Sequence, residues 1–191
     1  MQTMTGYHKR VMVQMVHVEA NLTLLNELNT IIEHLPSYLS KKGWESLLIT
    51  KHPPVIHRLS LQTNEDRALY LHKLHYCGDK THAYMHSHPW PCAVHVVQGG
   101  YEMGVGFSKD LADSPDALYT TRVYAGHSYE MNSADVWHYT KPIGDTYSIM
   151  LVGRRWRKRR AQNTEPLNWL QRDQLRTFFE EWAPQITKRR V

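Results

Sequence analysis

Apolar residues recur at helical intervals near the two ends of the chain and at strand intervals through its middle. From about Val18 to Leu39 they fall at Leu22, Leu25, Ile32 and Leu35, with Leu24, Leu28 and Ile31 beside them. That spacing lays one apolar stripe along a helix that packs on a sheet. Pro36 predicts a break near its end, because proline lacks the amide that a helix interior needs. Between about Ser46 and Val152 the pattern changes to short runs rich in Val, Ile, Tyr and Leu. The segments ALYLHKLHY (68–76), AVHVVQGGYEMGVGF (93–107), ALYTTRVYAG (117–126) and TYSIMLVG (146–153) read as strands, with CGDKT, QGG and PIGD as turn signals. Many short strands at regular spacing predict an all-β sandwich or barrel. Helical period returns from Leu167 to Trp182, where Leu175, Phe178, Phe179 and Trp182 share a face and Asn168 or Asp173 can cap the start. There is no internal repeat and no low-complexity linker.

The 191 residues therefore read as one domain, 1–191. It comprises a helical segment at about 18–39, a β-barrel at about 46–153, and a basic segment with a C-terminal helix at about 154–191. Composition changes this picture little: 41% apolar and 21% charged residues are ordinary globular usage. No run approaches the ~18 apolar residues of a membrane span, and the N-terminus lacks the ordered regions of a secretory signal. The expectation is a cytoplasmic protein with no membrane partner. Cys77 and Cys92 are too few for a disulfide framework and should be free thiols. The charge of +5 is concentrated in RRWRKRR, Arg154 to Arg160, and in the terminal KRR. Thirteen histidines raise the prospect of a metal site without locating it.

Two segments locate it. The first is HSHPWPCAVHVVQGGYE, residues 86–102. On an extended strand, side chains at i and i+2 share a face, so His86 and His88 project together and can share one metal ion. By the same parity Cys92 and Val94 face that way and His95 the other, unless Pro89 and Pro91 disturb the register. The second segment, residues 126–151, opens with Gly126 and returns through NSADVWH to a strand at His138. A barrel can bring that strand alongside the first pair.

This layout resembles the two motifs of the cupin superfamily: His-x-His, an acidic residue and a glycine in the first, and a Gly-led turn with a final His in the second. His86, His88, Gly99, Gly126 and His138 fall on those positions, and the similarity covers about residues 55–153. It implies a cupin double-stranded β-helix, or jelly-roll barrel, with flanking helices. Where most cupins carry a glutamate ligand this chain has Cys92, which is similar to the cysteine (thiol) dioxygenases. That resemblance implies His86, His88 and His138 as ligands of iron(II), with zinc, nickel or manganese as alternatives, and Cys92 beside them. It also implies Arg58, in VIHRLSL, as the partner of a substrate carboxylate, for which a guanidinium suits bidentate pairing. Cys92 follows His88 one residue sooner than in those dioxygenases. Where their cysteine's tyrosine partner would fall this chain has Val152, with Tyr147 nearby in another register.

Three readings of function follow. The leading one is a mononuclear iron(II) dioxygenase acting with O2 on a small polar or thiol-bearing molecule, as a homodimer. The second is a non-oxidative cupin, an isomerase or small-molecule-binding protein. The third is a nucleic-acid-associated protein that uses Arg154–Arg160. His82, His95 and His127 are alternative ligands in a shifted register. Trp90 and Trp137 flank the ligands and can wall the pocket or pack the core.

Overall fold

A computed structural model describes residues 24–78, 84–110, 112–156 and 165–189, with side chains up to 185. The proposed helix start at Val18–Thr23, His82 and Arg157–Arg160 lie outside these residues. The N-terminal apolar stripe forms helix α1 (24–33). The chain turns at His34 and continues as α2 (Leu35–Leu39), with Pro36 in the first turn of α2, where a missing amide costs nothing.

Among the described residues ten strands follow: β1 (Glu45–Ile49), β2 (Ile56–Asn64), β3 (Arg67–Leu74), β4 (His86–Ser87), β5 (Cys92–Gln98), β6 (Gly100–Phe107), β7 (Tyr119–Tyr124), β8 (Ser128–Met131), β9 (Val136–Pro142) and β10 (Thr146–Val152). They form a six-stranded sheet in the order β1-β2-β3-β10-β5-β8 and a four-stranded sheet in the order β4-β9-β6-β7, every pairing antiparallel. From β3 onward the chain passes repeatedly between the sheets, which makes the two a jelly-roll barrel. Two crossings use the glycines singled out in the sequence. Gly99 (φ +78°) turns β5 into β6, and Gly126 (φ +89°) turns β7 toward β8; both φ values favour glycine. At Gly99 a β-carbon would also stand 2.6 Å from the Asp145 carbonyl oxygen.

Strand parity sorts the side chains of the large sheet. Leu59, Leu61, Leu69, Leu71, Ile149 and Leu151 point outward into a core shared with the helices. Tyr70, Cys92, Val94, Met150 and Val152 point into the barrel, where Val96, Tyr101, Met103 and Val105 complete the filling. Helix α3 (Trp169–Arg189) covers the outward face with Leu175, Phe179 and Ala183. Its start carries a reciprocal cap: Asn168 Oδ1 accepts from the Gln171 amide at 2.9 Å, and Gln171 Oε1 from the Asn168 amide at 3.1 Å. Asn168 rather than Asp173 is therefore the capping residue. Among the described residues no helix is long and apolar enough to cross a membrane.

Phe179 is fully buried between α3 and the sheet. Phe179→Ala should lower the free energy of unfolding by about 3–5 kcal/mol. Urea denaturation measures it, and a loss under about 1 kcal/mol would mean that α3 contributes little to the core.

Candidate metal centre

The three histidines come from one edge of the small sheet. His86 lies directly opposite His138 in the β4–β9 ladder, so their side chains share a face. His88 follows just past the end of β4. His88 Nε2 and His138 Nε2 are 2.8 Å apart, and the ring of His86 lies 4.5 Å from that of His138 and 5.3 Å from that of His88. One nitrogen from each ring can be chosen so that all three lie within 4.8 Å of one another.

This geometry fits a bound ion. Imidazole nitrogens at ~2.0–2.1 Å from one metal stand about 3 Å from each other. Burial holds His138 well below the ordinary imidazole range, helped by its two histidine neighbours, and pushes His86 down to about 4. Both are therefore neutral at pH 7 and offer lone pairs. His86 Nδ1 lies 3.2 Å from the Tyr84 carbonyl. A proton donated there fixes the tautomer and leaves Nε2 as the ligand atom. His52, absent from the sequence reading, stacks on Tyr84 at 4.2 Å and on His86 at 5.3 Å and covers that side of the group.

The strand expected to carry both His86–His88 and Cys92 is two strands. Pro89 and Pro91 interrupt it, and the chain leaves the small sheet at Ser87 to enter the large one at Cys92. The parity beyond the break is as expected. Cys92 points into the barrel, 1% exposed, packed with Val94, Met150 and Val152. Burial pushes its thiol up to about 12, the nearby Glu130 adds to the shift, and a backbone hydrogen bond with Met131 opposes it. Val152 lies directly across from Cys92 in the β5–β10 ladder.

Arg58 also points inward, 8% exposed, with its guanidinium 4.5 Å from the centre of the Tyr70 ring. Tyr70 meets Trp90 edge-on at 6.2 Å, and Trp90 meets His88 edge-on at 6.1 Å. A continuous aromatic wall thus links Arg58 to the metal group. A cavity of about 380 Å³ borders this wall, lined by Gln62, Tyr70, Trp90, Arg154 and Arg155 among others. Two phenols missed in the sequence complete the interior: Tyr101 and Tyr129, whose hydroxyls are 2.7 Å apart. Burial raises both above the usual tyrosine range.

Other candidates lie elsewhere. Tyr147 is on the helix-facing side of the large sheet, its ring stacked on Phe178 at 3.6 Å, because odd-numbered residues of β10 point outward. His95 shares that side, 2.8 Å from the Ser128 hydroxyl. The His127 ring packs against Tyr124 at the β7–β8 turn. Trp90 does both things open to it, packing in the barrel interior beside Cys92 and Met150 and meeting His88 edge-on. Trp137, adjacent to His138 on β9, points to the opposite face and donates to the Ser108 carbonyl at 3.1 Å.

No family model matches the chain, and no curated protein matches it. It is similar to several solved structures. KdgF from Halomonas sp. is 17% identical, covering 56% of this chain and 87% of that one, with a TM-score of 0.42. Hydroxypropylphosphonic acid epoxidase from S. wedmorenis is 13% identical, covering 56% and 55%, with a TM-score of 0.43. An RmlC-like cupin from Shewanella frigidimarina NCIMB 400 is 14% identical, covering 58% and 86%, with a TM-score of 0.40.

His72, buried on the inner face of β3, is pushed down to about 3 by burial and by Arg58, from an ordinary value of 6.5. Between those values the unfolded chain binds the extra proton and the folded one does not. This residue therefore makes stability fall as pH drops from 6.5 toward 3. His72→Gln should flatten that acid limb, as read from urea midpoints across the window. An unchanged limb would assign the acid sensitivity to other groups.

Proposed function

We propose that the chain is a mononuclear iron(II) dioxygenase of cupin type, acting on a small polar, anionic or thiol-bearing substrate. The observation that carries this reading is the make-up of the metal group: three imidazoles and, among the described residues, no carboxylate. Three neutral ligands leave a divalent ion its full charge, and three ligands leave positions open on it. Iron held there would supply a Lewis acid and the electrons for O2 chemistry beside the substrate.

The chain's own residues have separate tasks in this reading. His86, His88 and His138 hold the ion. Arg58, a buried cation on the same aromatic wall, pairs with the substrate's anionic group. The cavity beside Trp90 is the approach. Cys92 stays protonated at neutral pH and acts as a neutral group packed in the barrel interior rather than as a nucleophile. A non-oxidative cupin is the second reading, favoured by the Tyr101–Tyr129 pair, two neutral phenols in hydrogen-bond contact that can pass a proton.

Protein purified without oxygen and loaded with iron(II) should hold one iron per chain. It should consume O2 faster on addition of one of a panel of small thiols and carboxylates. His86→Ala and His138→Ala should lose the stoichiometric metal. Arg58→Gln should raise KM for an anionic substrate about ten- to a hundred-fold, the worth of one charged hydrogen bond or two. Iron retained in full by His86→Ala would sink the site itself. Iron bound without substrate-stimulated O2 uptake, alongside proton exchange that depends on Tyr101, would favour the non-oxidative reading.

A further inference from the structure

The turn that carries His88 from one sheet to the other, between Ser87 and Cys92, belongs to neither ladder. Two of its four residues are prolines and have no amide to donate. Its backbone is held instead by a strap that follows β10. The Gly153 amide donates to the Pro91 carbonyl at 2.8 Å, and the Trp156 amide to the Pro89 carbonyl at 3.1 Å. The Trp156 indole Nε1 donates to the carbonyl of His88 itself at 3.2 Å. Between them Arg155 lays its guanidinium 5.1 Å from the centre of the Trp90 ring. Three of the turn's four carbonyls and its tryptophan ring are thus engaged by Gly153, Arg155 and Trp156. The fit is close: a β-carbon on Gly153 would come within 2.8 Å of Pro91 Cγ.

We propose that Trp156 is a positioning residue for the metal ligand His88. The carbonyl it holds is attached to the Cα that carries the imidazole. Releasing that carbonyl frees the His88 backbone to rotate and moves Nε2 away from its place beside His138 Nε2. Ligand bonds tolerate displacements of only about 0.2 Å, and groups that orient ligands are typically worth ~10–100-fold in metal affinity. This gives the tryptophan in RRWRKRR a role distinct from the arginines around it. The inference rests on the metal-centre reading above.

The test is the affinity of metal-free full-length protein for cobalt(II), titrated against a fluorescent chelator below the thermal midpoint of every variant used. Trp156→Phe, which keeps the ring and loses the donor, should bind cobalt ~10–100-fold more weakly than wild type. Arg155→Gln loosens the same strap without touching His88 and should stay within about threefold. Affinity of Trp156→Phe within threefold of wild type, or an equal loss in both variants, overturns the inference. If Trp156→Phe does not fold, Gly153→Ala displaces the strap from Pro91 instead. A tenfold loss there supports the role, and wild-type affinity overturns it. If wild type binds cobalt no better than His88→Ala, the metal-centre reading itself fails and takes the inference with it, an outcome distinct from the others.

Discussion

The pairing of β4 with β9 is only two residues long, and the arrangement of the metal group depends on it. So short a ladder cannot hold itself together: its few hydrogen bonds yield little net free energy in competition with water. Its position comes from what surrounds it. β9 lies between β4 and β6, and seven residue pairs join β9 to β6. There the Tyr139 ring overlies Gly104, where any β-carbon would fall inside the ring, and its hydroxyl donates to Glu102 at 2.9 Å. Apolar packing of Tyr101, Met103, Val105 and Val123 then seats the small sheet against the large one. His138 thus sits on a rigid strand, while His86 and His88 are brought to it by a short one.

Burial sets the electrostatics of the same region. His86 and His138 are kept neutral because charging either would place a cation among buried groups and beside its histidine neighbours. The thiol of Cys92 and the phenols of Tyr101 and Tyr129 are kept neutral for the same reason with the opposite sign of charge. Arg58 is the exception on this face, a permanent cation supported by the face of Tyr70. Divalent metal at the histidines would add to that positive field, so a ligand entering along the aromatic wall meets a potential that favours an anion. The polarity of the substrate in the proposed reaction follows from this balance more than from any single contact.

Much of this could be read from the chain. The period of Leu175 and Phe179 gave the face of α3, and the glycines at 99 and 126 marked two sheet crossings because turns of that kind need positive φ. The i, i+2 rule put His86 and His88 together. It could not show that the strand ends between them and Cys92, since a strand's membership of a sheet is decided by distant partners. Pro89 and Pro91 were the local sign. The same limit hid the side of the sheet on which Tyr147 lies. The strand was legible, but which of its faces meets the helix depends on α1, α2 and α3 docking together. Trp156 stands in a run of arginines that masks it, and its bond to a carbonyl 68 positions away carries no local signal.

The residue opposite Cys92 bears on how far the thiol dioxygenase resemblance extends. Val152 occupies that place in the ladder, and Met131 stands across from Cys92 on the other side. The thiol therefore lies in an apolar layer with two valines and two methionines, where a protonated sulfur packs as a small hydrophobe. Tyr101 and Tyr129, the phenols of the same interior, bond to one another. A protonated Cys92 adds no negative charge to the barrel interior. That is a property of the interior as a whole, and it requires no reaction at sulfur.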